Sequence, residues 1–131
     1  MKKVLMVDDD EAMLFAFRKL CAASDVSADV ADSFESALWH LSRGHYDILI
    51  SDLHLTGAAG HEGFAIVRAA KQYNPLIRAY IWTAYDEKHT QEKAMDTGIE
   101  GYLTKPVKFD RLLSIINEHD LVPALVGDNR A

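Results

Sequence analysis

The chain has 131 residues, the size of one domain, and is 49% apolar and 26% charged, which is ordinary for a soluble globular protein. With 14 basic and 20 acidic residues its net charge is −6, which argues against nonspecific binding to nucleic acid or to an anionic membrane, because both need a cationic surface. A single cysteine excludes an internal disulfide framework, and no apolar run approaches the ~20 residues of a membrane span.

The first residues start like a signal peptide but reach Asp8-Asp9-Asp10-Glu11 before an apolar region develops, so a cytoplasmic location is expected. Val4-Leu5-Met6-Val7 is a short continuous apolar run, the pattern of a strand covered on both faces. Met13, Phe17, Leu20 and Cys21 follow at helical spacing with Leu14 on the same side, and Cys21 in that stripe reads as a buried thiol. Asp29-Val30-Ala31 is a second strand. Asp32 or Ser33 caps the next helix, with Glu35 in capping-box position to Asp32; Phe34, Ala37, Leu38 and Leu41 form its stripe. Trp39 beside that stripe reads as partly buried packing, and Gly44 ends the helix. Ile48-Leu49-Ile50 is the third strand, and a long glycine-containing loop runs from Asp52 to about His61. A helix from Phe64 to Tyr73 is stopped by Asn74-Pro75. Ile77 to Trp82 is the fourth strand, with Trp82 as core. Residues 86–97 read as a helix ended by Gly98. It carries no apolar side chain before Ala94, so it is expected among the least stable elements. Gly101-Tyr102-Leu103 is a fifth strand. Phe109, Leu112, Leu113 and Ile116 make a last amphipathic helix. Residues 1–119 thus read as one domain. Residues 120–131, with Pro123, Gly127, Asp128 and Asn129, read as a tail or the start of a linker.

A strand followed by a helix, five times over, implies a parallel sheet with helices on both faces, a doubly wound α/β domain. In such a sheet the ligand site lies at the carboxyl ends of the strands. Strand one ends in Asp8-Asp9-Asp10, strand three in Ser51-Asp52, strand four in Thr83-Ala84 and strand five in Thr104-Lys105-Pro106. Carboxylates gathered there repel unless a cation sits among them, and a few oxygen ligands suit Mg²⁺. Lys105 offers a point charge for one anionic oxygen and Thr83 a donor. Together these describe a phosphoryl site, in which a carboxylate can itself be the nucleophile.

On Val7-Asp8-Asp9-Asp10, Asp52 after Ile48-Leu49-Ile50-Ser51, Thr83-Ala84 and Gly101-Tyr102-Leu103-Thr104-Lys105-Pro106, the chain resembles the receiver (phosphoacceptor) domain of two-component response regulators, from Lys3 to about Glu118. The resemblance implies a flavodoxin-like five-stranded parallel sheet, (βα)5, of strand order 2-1-3-4-5. It implies that Asp52 is phosphorylated by a histidine kinase or phosphotransfer protein. Mg²⁺ would be held by Asp9 directly, Asp8 through water, Asp52, and the backbone carbonyl of His54. Lys105 would pair with the phosphoryl group, and Lys105-Pro106 would carry a cis peptide bond. Thr83 would donate to the phosphoryl group and Tyr102 would turn inward with it. The face made by the fourth helix, fifth strand and fifth helix would then change its affinity for a downstream protein or output domain. The 86–97 helix, directly after Thr83, is expected to be the mobile part of that switch. A phosphorylation-linked homodimer is a further expectation. Such a domain is a phosphoacceptor that assists its own phosphorylation and dephosphorylation, not an enzyme, with no direct contact to nucleic acid or membrane.

The chain also departs from the family. Thr56 stands where receivers usually have proline, and the matching Gly63 comes eleven residues after Asp52, as though about three were inserted. His54 and Tyr85 occupy positions that tune the lifetime of the phosphoryl group in the family; here they either shield it or merely line the mouth. His54, His61 and His89 match no histidine metal motif and read as solvated. Three alternatives remain. One is a stand-alone or phosphorylation-independent receiver acting as an interaction module. Another is an aspartate-nucleophile phosphatase, echoed by Asp52-Leu53-His54-Leu55-Thr56 but with His54 where its acid should stand. The last is a flavodoxin-like cofactor binder, which lacks a phosphate-cradling loop.

Overall fold

Strands and helices alternate as β1 (Lys3–Val7), α1 (Glu11–Ala22), β2 (Ser27–Ala31), α2 (Phe34–Arg43), β3 (Ile48–Asp52), α3 (Glu62–Tyr73) and β4 (Arg78–Thr83), then helical residues 92–94 (α4), β5 (Gly101–Thr104) and α5 (Phe109–Asn117). The computed structural model describes residues 2–55, 62–84, 92–94 and 96–117. Thr56, His61, Tyr85, His89, most of the expected 86–97 helix and the 120–131 tail lie outside them. The strands form one parallel sheet in the order β2-β1-β3-β4-β5, as the resemblance implies. The chain steps from β1 to β2 on one side and continues from β3 on the other. The switch point in strand order therefore falls between β1 and β3.

Side chains alternate along each strand, so each apolar run feeds two cores. Leu5, Val7, Leu49, Ala79 and Ile81 pack on α2 and α3 through Ala37, Leu41, Phe64, Val67 and Ala70. Val4, Met6, Ile48, Ile50, Tyr80, Trp82 and Leu103 pack on α1 and α5 through Leu14, Phe17, Cys21, Leu112, Ile115 and Ile116. Each fully buried large side chain contributes about 2 kcal/mol from area removed from water. That burial sets the strand positions, and the strand positions fix the polar residues at their ends. No described helix is long and apolar enough to cross a membrane.

Two local readings change, and a third gains detail. Ser33, not Asp32, is the N-cap of α2: its Oγ accepts from the Ser36 amide at 3.1 Å. Glu35 is therefore a favourable charge in the first turn, not the partner of a capping box. Gly44 does end α2, in an extended conformation at φ −124°; among the described residues the left-handed glycine is Gly98, at φ +81°. Trp39 is not partly buried packing. It stands 55% exposed, with the Arg43 guanidinium 4.8 Å from its ring centroid. A turn of about 100° per residue carries it from beside the Leu38 stripe into solvent.

Candidate functional site

Hydrophobic burial of β1 and β3 brings two acidic residues to the same sheet edge. Asp8 follows Val7 and is fully buried, and Asp52 ends β3 with 7% of its surface exposed. The Asp8 backbone is fixed by its amide donating to Ala31 carbonyl at 3.0 Å, one register step past the last β1–β2 pair. Its Oδ1 accepts from the Asp10 amide at 3.0 Å, which turns the chain into α1. Asp10 is the N-cap of α1, accepting from the amides of Ala12 and Met13 at 3.1 and 3.3 Å. That task takes Asp10 out of the acidic group.

Lys105 reaches both buried carboxylates. Its Nζ donates to Asp8 Oδ2 at 2.7 Å and to Asp52 Oδ2 at 3.0 Å. Its amide donates to the Thr83 carbonyl at 2.7 Å, which carries the β4–β5 ladder past Thr104, and the Lys105–Pro106 peptide bond is cis. The Lys105 ammonium lies 4.9 Å from the ring centroid of the fully buried Trp82. Thr83, also fully buried, ends β4 beside it. The His54 amide donates to Asp52 Oδ1 at 3.2 Å. Tyr102 is half-buried in β5 and packs against the α2/α3 core.

The exposed Asp9 completes an acidic group. One carboxylate oxygen each from Asp8, Asp9 and Asp52 lie within 4.8 Å of one another. The group holds more negative charge than Lys105 offsets. Burial pushes the Asp52 carboxyl up, the Asp8 charge adds to that, and hydrogen bonding from Lys105 opposes both. Asp9 is pushed up by burial and then by Asp8. Burial pulls the Lys105 ammonium down, but hydrogen bonds to Asp8 and Asp52 outweigh it and leave its pKa raised. An acidic group with raised carboxyls and oxygen donors alone suits a hard divalent cation.

The response regulator receiver domain family matches the chain over residues 4–117. The chain belongs to that family. It is 31% identical over 119 residues to the response regulator protein FleR of Pseudomonas aeruginosa, covering 91% of this chain and 24% of FleR. The chain thus spans about a quarter of that relative's length. A receiver domain protein from Methanospirillum hungatei, described as CheY-like, has the same fold, with a TM-score of 0.82 at 21% identity over 91% of this chain and 93% of that one. A response regulator from Burkholderia pseudomallei, solved with a phosphorylated aspartic acid, calcium ion and citrate, superposes with a TM-score of 0.80 at 20% identity, covering 100% of this chain and 76% of that one.

Receiver domains are generally phosphoacceptors that bind Mg²⁺ at an acidic cluster, and the donor set of Asp8, Asp9 and Asp52 fits that ion. Two residues of this receiver domain carry more than the sequence reading gave them. By sequence Gly63 is only a displaced family glycine, yet a Cβ there would stand 2.5 Å from the Asp52 carbonyl oxygen. Trp82 is core, as its place in the fourth strand predicts, and its ring also lies beneath the Lys105 ammonium. Their one sequence signal was position, eleven residues after Asp52 and one before Thr83.

Proposed function

We propose that Asp52 is the phosphoacceptor of a signalling switch loaded by a histidine kinase or a phosphotransfer protein. The observation that carries this is the Lys105 ammonium bridging Asp8 at 2.7 Å and Asp52 at 3.0 Å, with Asp9 in the same acidic group. An Asp52 carboxylate oxygen attacks the phosphorus of a phosphohistidine. The P–O bond forms as the P–N bond breaks, and the imidazole leaves with the electron pair and takes a proton. The ion held by Asp8, Asp9, Asp52 and the His54 carbonyl would neutralise charge on the phosphoryl oxygens when bound. Lys105 exchanges its Asp52 partner for a phosphoryl oxygen, and Thr83 donates a hydrogen bond to another. Tyr102, next to the β4–β5 seam, then turns inward and alters the face of α4, β5 and α5 that meets an output domain, a separate protein or a second copy. Hydrolysis returns the free carboxylate, with His54 and Tyr85 setting its rate. Residues 1–119 carry this switch, in the cytoplasm.

Intact mass after incubation with Mg²⁺ and acetyl phosphate tests the reading. The expected result is one added phosphoryl group, absent without Mg²⁺ and absent in Asp52→Asn. A folded protein that gains nothing from acetyl phosphate or from a phosphorylated histidine donor would be a phosphorylation-independent interaction module. A gain retained in Asp52→Asn would move the acceptor elsewhere.

A further inference from the structure

Trp82 lies near the carboxyl end of β4, next to the central strand. It pairs in register with Asp52 of β3 on one side and Leu103 of β5 on the other. Strand alternation turns its ring to the α1/α5 core, where it is fully buried among Met6, Phe17, Ile50 and Leu112. Its indole Nε1 is buried and has no hydrogen-bond partner among the described residues. A tryptophan kept for its N–H would have one, and a core filled only for volume would avoid the cost of an orphaned donor. What this side chain gives its surroundings is its ring face. The Lys105 ammonium lies over that face, 4.9 Å from the centroid. Lys105 is itself only 25% exposed, so the attraction between cation and ring is weakly screened.

We propose that Trp82 is a positioning residue for phosphoryl transfer: its indole face holds the Lys105 ammonium level with the Asp8 and Asp52 carboxylates. The proposal rests on the reading of Asp52 as the phosphoacceptor. A carboxylate holds an ammonium through hydrogen bonds to particular oxygens, whereas a ring face attracts it broadly across the area above the ring. Lys105 can therefore shift from Asp52 to an arriving phosphoryl oxygen while its support stays in place. An aliphatic residue would fill the same core but leave the ammonium held only by the carboxylates it must partly release.

The test measures the rate of labelling by acetyl phosphate and, separately, Mg²⁺ affinity by calorimetry, in wild type, Trp82→Phe and Trp82→Leu. Loss of the ring face should slow labelling of Trp82→Leu about tenfold, while Trp82→Phe stays within about threefold of wild type. Mg²⁺ affinity, set by the carboxylates, should stay within about threefold in both. Equal labelling rates in wild type and Trp82→Leu overturn the proposal. So does a slow Trp82→Leu whose Mg²⁺ affinity has collapsed with its rate, because that marks general damage to the site. If Trp82→Leu does not fold, the outcome rests on fluorescence. The chain has two tryptophans, so Trp39→Phe leaves Trp82 as the sole indole. Lys105→Met in that background should change the intensity or wavelength of its emission, and an unchanged spectrum overturns the proposal. If wild type itself is not labelled at Asp52, the phosphoacceptor reading fails instead, a result separate from any Trp82 variant.

Discussion

A Cβ placed on Gly63 would stand 2.5 Å from the Asp52 carbonyl oxygen and 2.8 Å from the Leu53 Cα. Both neighbours are backbone, so neither can rotate away. The Gly63 amide donates to the Leu53 carbonyl at 3.1 Å, which pins the first turn of α3 to the exit of β3. The absence of a side chain therefore lets α3 start directly behind Asp52, the proposed acceptor. Intrinsic helix preference would favour alanine here by about 1 kcal/mol, whereas forcing a methyl into a closed contact costs about 1–3 kcal/mol or more. Because the obstruction is main chain, the steric cost should win. Gly63→Ala is expected to lose about 1–2 kcal/mol net in urea denaturation, and to slow labelling of Asp52 as its backbone shifts. A midpoint equal to or above wild type would show that α3 moves aside freely. The sequence carried Gly63 only as a spacing. The reason for it is a contact between backbones that no residue pattern encodes.

The elements were legible where burial is two-sided and periodic. Val4–Val7 and Ile48–Ile50 are apolar throughout because helices cover both faces, and their ends stand out by the abrupt change to Asp8 and Asp52. The amphipathic stripes placed α1 and α5 in the same way. Capping by Asp32 or Ser33 was ambiguous because both side chains can accept from a first-turn amide; only the backbone path chose Ser33. Links between distant elements were not legible at all. Arg78 begins β4, yet its guanidinium donates to the Ile115 carbonyl at 2.9 Å and to the Tyr80 hydroxyl, reaching the last turn of α5. Cations favour helix C-termini, and a charge-assisted bond to a carbonyl contributes about 1.5–3 kcal/mol. Arg78→Met keeps much of the stem and removes the donors. It should destabilise the chain by about 1–2 kcal/mol and speed hydrogen exchange in the last turn of α5 relative to β1. Equal protection of that turn in both proteins would mean that packing of Ile115 and Ile116 alone holds the end of α5.

Across the described residues, three groups of the alkaline range, in three separate places, hold protons more tightly when folded. Cys21 in the α1/α5 core is pushed from 9.0 up to about 11 by burial. Tyr46, in the α2/α3 core, is raised above its ordinary 10.0 by burial first, then by its 2.6 Å hydrogen bond to Asp29. Lys105 at the sheet edge is raised above 10.5: burial opposes the charge, but hydrogen bonds to Asp8 and Asp52 prevail. For Cys21 and Tyr46, the folded chain keeps a proton that the unfolded chain has already released. Unfolding then gives up protons, so stability falls as pH rises through the interval between the unfolded and folded values. For Lys105 the stabilisation is whole below 10.5 and is lost as pH climbs through its raised value. All three signs agree, so the stability curve should bend downward near pH 9 and steepen above pH 10, each titrating group adding up to about 1.4 kcal/mol per pH unit. Urea denaturation at a series of alkaline pH values measures this slope. Cys21 alone acts at the start of the decline, because its unfolded value of 9.0 is the lowest of the three. Cys21→Ala will be less stable throughout from lost packing, but its curve should stay flat until about pH 10. A decline beginning near pH 9 in that variant would place the proton linkage in some other group than the buried thiol.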